Sequence, residues 1–104
     1  MRIPKKLKAG ATEYKVSMMK PGSIRREEPD GRHSDAWGFT SFKDEIMQIE
    51  EASEQREATT FMHELVHVIA NQYSLEIDER GTDCLAQGLL GIIRRNKLDF
   101  LDLT

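Results

Sequence analysis

The chain has 104 residues, 38% of them hydrophobic, and a formal net charge of −3. That length supports one modest core and no second one. No apolar run reaches the ~18 residues of a membrane span, and no apolar signal segment follows the basic start Met1-Arg2-Ile3-Pro4-Lys5-Lys6-Leu7-Lys8. A single domain over residues 1–104 is expected, in the cytosol and without a membrane partner. The one cysteine, Cys84, has no internal partner for a disulfide, which agrees with a reducing compartment.

Charge is unevenly placed. Residues 1–32 carry nine Lys/Arg against four Asp/Glu, a balance of +5, and residues 33–104 carry six against fourteen, a balance of −8. The imbalance reads as a solvated basic arm over residues 1–12 on an acidic body. No aromatic interleaving or recognised motif points to a nucleic-acid partner.

In chain order, residues 1–10 hold Pro4 and Gly10 among lysines and read as loop, or as a short strand around Lys6–Lys8. Glu13–Met18 alternates with period two, placing Tyr14, Val16 and Met18 on one face of a strand. Lys20–Ser34 contains Pro21, Gly22, Pro29 and Asp30-Gly31 amid charges, the composition of a long, mobile loop. His33, at its end, is a candidate ligand or proton donor, though a lone loop histidine is usually solvated. Ala36–Phe42 is rich in aromatic and β-branched residues and predicts a strand. Lys43-Asp44 supplies a turn, and Glu45–Glu50 a second strand of the same hairpin. Ile46 and Gln48 share one face of it, Met47 and Ile49 the other.

From Ser53 the periodicity becomes helical. Ser53 is a candidate N-cap for a helix over Glu54–Tyr73, with Glu54 and Glu57 at its positive end and Ala58, Phe61, Leu65, Val68 and Ile69 facing the sheet. Ser74–Ile77 turn the chain. Asp78 can cap a second helix over Glu79–Arg95, whose apolar face is expected to be Cys84, Leu85, Leu89, Ile92 and Ile93, with Asn96 as terminator. Gly81, Gly88 and Gly91 inside it suggest close approach to the first helix. The stretch from Leu98 to Leu103 is apolar enough to dock somewhere. The expected fold is α+β: a small antiparallel sheet packed against two helices.

Within the first helix stands His63-Glu64-Leu65-Val66-His67. Positions four apart lie about 6 Å apart along one helix face, so both imidazoles can converge on one Zn²⁺ ion. Glu64 projects beside them as a candidate general base towards water at the metal. Burying a His-Glu pair in so apolar a segment is costly without a partner, and a metal is one. Hydrolytic zinc has three protein ligands and one open position. The second helix offers Glu79 and Asp83, four apart on a face shared with Ala86, and Glu76 precedes it. Reach and nearness to the turn rank Glu79 first, Asp83 second and Glu76 third. Tyr14, His33 and Tyr73 are the candidates for a further electrophile.

These residues carry a resemblance. Thr60-Phe61-Met62-His63-Glu64-Leu65-Val66-His67, followed by Glu79-Arg80-Gly81-Thr82-Asp83-Cys84-Leu85-Ala86-Gln87-Gly88-Leu89, is similar to the small phage-associated members of the ImmA/IrrE-type zinc metallopeptidases. The likeness spans roughly residues 13–96, with specific motifs only in the helices. It departs at Gly81 and Asp83, where larger relatives often carry Glu or Gln and Asn. It implies a minimal zincin-like fold and a gluzincin-like site in which His63, His67 and Glu79 hold Zn²⁺, Glu79 lying six positions before Leu85. Glu64 would then act as base in hydrolysing a protein or peptide substrate, the strand Glu45–Glu50 holding it in extended form if that strand is an edge. It also implies a phage-encoded protein working in the bacterial cytosol. Two other expectations stand beside this one: a metal-binding, non-catalytic phage or mobile-element protein that occupies a host or repressor protein, and a structural domain whose histidines bind nothing.

Overall fold

The computed structural model describes residues 2–27, 33–35 and 37–98. The middle of the Lys20–Ser34 segment, Ala36, and the stretch after Leu98 expected to dock lie outside them. The elements are β1 (Lys6–Ala9), β2 (Thr12–Met19), β3 (Arg25–Glu27), β4 (His33–Asp35), β5 (Gly38–Ser41), β6 (Ile46–Glu50), α1 (Glu54–Gln72) and α2 (Glu79–Arg95). The domain is α+β, with a four-stranded sheet in the order β1-β2-β6-β5, a separate pair β3-β4, and two helices. Among the described residues no helix is long and apolar enough to cross a membrane.

The sheet is mixed rather than wholly antiparallel. β1 and β5 run antiparallel to their neighbours, but β2 and β6 are parallel, from Lys15↔Ile46 to Met19↔Glu50. Alternation in a sequence shows which face a residue takes, not which strand lies beside it. Here the chain leaves β2, passes through β3 and β4, and returns as the β5–β6 hairpin, so β6 enters beside β2 in the same direction. Three further corrections follow. β6 is a central strand, not an edge, with Met47 and Ile49 at 0% exposure. The basic arm is not simply solvated: its Lys6 and Lys8 point to solvent while Leu7 and Ala9 pack against the core around Tyr14 and Val16. Gly10, at φ 61°, turns it into β2. Part of the expected long loop is also strand, with Arg25↔Asp35 through Glu27↔His33 paired antiparallel. Its charged residues carry no apolar alternation by which to see that pairing.

Local chemistry sets the helix boundaries. Ser53 Oγ accepts from the Arg56 N–H at the start of α1, and Asp78 Oδ1 accepts from the Gly81 N–H at 2.7 Å to begin α2. Lys97, at φ 53°, ends α2 with its N–H on Arg94 O, while the Leu98 N–H returns to Ile93 O.

α1 is buried on two sides. Phe61 and Val68 pack with Tyr14, Val16, Met47 and Ile49 of the sheet. Ala58, Met62 and Val66 pack with Ala86, Leu90 and Ile93 of α2, and Leu65 touches both groups. Ile69, expected on the sheet, is 42% exposed. The buried stripe of α2 is Thr82, Ala86, Leu90 and Ile93; of the face expected from hydrophobicity only Ile93 is buried, and Cys84, Leu85, Leu89 and Ile92 face outward. Small side chains at Thr82 and Ala86 let the beginning of α2 come close to α1. The glycines do not serve that end: a Cβ on Gly88 or Gly91 would meet nothing within 4 Å, and one on Gly81 would meet Ile77 and Asp78 rather than α1. The helices are antiparallel, closed at the far end by Arg94, which donates to Glu54 at 2.6 Å and to Gln55.

Candidate metal centre

One turn apart on α1, His63 and His67 point their Nε2 atoms at one another across 3.1 Å. Their rings meet edge to face, with centroids 4.7 Å apart. Glu79, the first residue of α2, reaches over both: its Oε2 lies 3.3 Å from His63 Nε2 and its Oε1 3.0 Å from His67 Nε2. All the donor atoms fall within 4.8 Å of one another. A tetrahedral ion with bonds of ~2.0–2.1 Å separates its donors by about 3.3 Å, so this spacing suits one ion shared by all three. Two imidazole nitrogens and a carboxylate oxygen are also a donor set that zinc takes in hydrolytic sites. The three residues could hold a metal ion, and the fit rests on both spacing and chemistry.

Asp83 has a different place from Glu79. Its Oδ1 lies 2.7 Å from His63 Nδ1, on the far side of the ring from the shared donors. An N–H at Nδ1 donates to this carboxylate, which leaves the Nε2 lone pair directed at the site. The two acids four residues apart on one face of α2 thus divide into a direct donor and an orienting partner. Asp78, capping the helix, fixes where Glu79 begins, and the Thr82 hydroxyl reinforces the turn by donating to Asp78 O at 3.0 Å. Glu76, the third candidate, lines a shallow depression with Leu75, Ile77 and Asp78 and is not among the converging donors.

Glu64 leaves α1 toward the sheet. It is 3% exposed, and its Oε1 accepts from the Thr40 hydroxyl at 2.7 Å. With Phe39, Thr40, Phe42, His67 and Glu79 it lines a cleft of about 230 Å³. Gly38, two residues before Thr40 on the same face of β5, lies so close that a Cβ there would stand 2.6 Å from Thr60 Cγ2 and 3.0 Å from Glu64 Oε2. Gly38 is therefore the glycine at which β5 closely approaches α1. No sequence motif marks Gly38 or Thr40 as part of the site. The available signal was a glycine amid the aromatic residues of a predicted strand, a usual mark of close backbone approach.

Tyr14 and Tyr73, two of the candidate electrophiles, do not gather here. Tyr14 is buried in the sheet-side core, where burial, then the charge of Glu45, pushes its hydroxyl pKa up from the ordinary value. Tyr73 is the exposed C-cap of α1. The side chain of His33 lies outside the described residues. At the entrance side of β5, Arg56 stacks over the Trp37 ring at 4.1 Å from its centroid. Comparison of the chain with protein-family models, with curated proteins and with solved structures finds no match.

Proposed function

We propose that the chain is a zinc metallopeptidase of the small ImmA/IrrE-like type, hydrolysing peptide bonds of a protein substrate in the cytosol of a bacterial host. The observation that carries this reading is that Glu64, held by Thr40 of β5, lines one cleft with His67 and Glu79, two members of a three-donor set on α1 and α2. His63, His67 and Glu79 would hold the ion, and Asp83 keeps His63 in the tautomer that offers Nε2. The chemistry the ion supplies when bound is Lewis acidity, polarising a carbonyl oxygen and bringing the pKa of water down to about 7.

The remaining work belongs to the chain. Glu64, as carboxylate, takes the proton of the attacking water and delivers it to the leaving amine. β5 ends the strand order on this side of the sheet, so its outer edge, rather than that of β6, is the place for an extended substrate to add its backbone. Such a substrate would pass Trp37 and Arg56 near one end of β5 and Phe42 near the other.

Glu64→Gln tests the reading. The variant should bind zinc stoichiometrically and lose hydrolysis by roughly 10²–10⁴-fold, the usual contribution of a positioned general base. Zinc retained with unchanged hydrolysis would sink the assigned role. Zinc bound by both proteins with no hydrolysis by either would favour a protein that works by occupying its partner.

A further inference from the structure

We propose that Thr40 and Gly38 of β5 are the positioning residues of Glu64, so that one edge strand both seats the general base and offers its outer edge to the substrate. The inference rests on the metallopeptidase reading and adds to it how the base is held.

A glutamate has three rotatable side-chain bonds, and a general base must be placed to within about 0.5 Å and 10–20°. α1 alone cannot do this, since its packing fixes the backbone of Glu64 and not the carboxylate. β5 supplies what is missing from two positions on one face. The Thr40 hydroxyl donates to Oε1 at 2.7 Å, taking one lone pair of one oxygen and leaving the others for a proton in transit. Gly38 provides room, because a methyl group there would press on both Glu64 and Thr60. Neither residue moves freely. Thr40 pairs with Met47 and Gly38 with Ile49, the two fully buried side chains of the central strand. The carboxylate is thereby referenced to the sheet and not only to its own helix.

A substrate backbone added to the outer edge of β5 would be referenced to the same strand. The distance from the base to the scissile carbonyl is then set within one element, and a shift of α1 relative to the sheet would disturb it little. This arrangement also accounts for a threonine and a glycine, neither of them apolar filling, on the inward face of a strand packed against a helix.

The test uses the full chain loaded with Co²⁺, whose visible absorption reports occupancy and ligand binding, and compares Thr40→Val with Thr40→Ser. Thr40→Val keeps shape and loses the donor; Thr40→Ser keeps the donor. Both should bind Co²⁺ as the parent does. Thr40→Val should lower kcat on a casein substrate by ~10²-fold with KM little changed, part of the 10²–10⁴ a general base provides. Acetohydroxamate, whose O–H needs a correctly placed carboxylate beside the metal, should bind Thr40→Val about tenfold more weakly, one hydrogen bond's worth. Thr40→Ser should recover most of both losses. Parent-like kcat and hydroxamate affinity in Thr40→Val would overturn the proposal, as would equal losses in Thr40→Ser. Should the parent bind Co²⁺ but hydrolyse nothing, the peptidase reading fails, while hydroxamate affinities across the series still decide whether Thr40 places Glu64. A parent that binds no Co²⁺ overturns both.

Discussion

The two helices build one site on unequal terms. The histidine side chains of α1 are 16% and 26% exposed, and Glu64 beside them is almost wholly enclosed; the side chains of Glu79 and Asp83 on α2 are 62% and 61% exposed. α1 is wedged between sheet and helix, so its donors are held by packing. α2 is held along a single stripe, and its donors depend on a cap at one end and on contact with the imidazoles. Position on the first helix comes from the core; position on the second comes from the site itself.

A graded set of zinc titrations against a competing chelator would sharpen that contrast. His63→Ala or His67→Ala should abolish stoichiometric zinc, because each removes a donor that packing already holds in place, and the loss of metal should lower stability too. Glu79→Gln should weaken affinity by more than Asp83→Asn, for which ~10–100-fold is the usual cost of losing an orienting partner. Glu51→Gln, an exposed acid away from the site, should leave affinity unchanged. If Asp83→Asn proved the more damaging of the two, the division of roles on α2 would be reversed.

The same contrast has a smaller, apolar counterpart on α2. Leu90 is buried against α1, and its neighbour Leu89 is 42% exposed. Leu90→Ala should cost about 2–5 kcal/mol in denaturant unfolding, and Leu89→Ala about 0.5 kcal/mol, as for an ordinary surface change. Comparable losses would mean that the outer stripe of Leu85, Leu89 and Ile92 is covered in solution.

How much of this could be read beforehand follows from which forces act locally. α2 begins and ends where Asp78 and Asn96 suggest, because caps act within a turn. Helical spacing aligns His63 with His67 and Glu79 with Asp83, but the choice of Glu79 over Asp83 and Glu76 rests on reach and nearness to the turn, not on spacing. The face of α2 that packs was misjudged because hydrophobicity favours Leu85, Leu89 and Ile92, whereas contact with α1 near the site requires small residues, Thr82 and Ala86. Ala86 shares its helix face with Glu79 and Asp83, so the core and the donors lie along one stripe. The parallel seam of β2 and β6, and with it the identity of the edge strand, depends on contacts between distant segments that no local pattern encodes. Thr40 escaped notice for the same reason, its partner lying 24 residues away on another element.

The separation of contacts along the chain also bears on the order of assembly. His63 and His67 are 4 residues apart, and His63 and Asp83 are 20 apart. β2 meets β6 across a separation of 31, from 15 to 46. Loop closure costs more as the loop lengthens, and non-local pairings form slowest. The helical hairpin should therefore come together before the seam of the sheet, giving the chain its donors while the floor beneath α1 is still unfinished. Pulse-labelled hydrogen exchange during refolding should protect amides of α1 and α2 before those of β2 and β6, whereas simultaneous protection would make the folding nucleus span both halves.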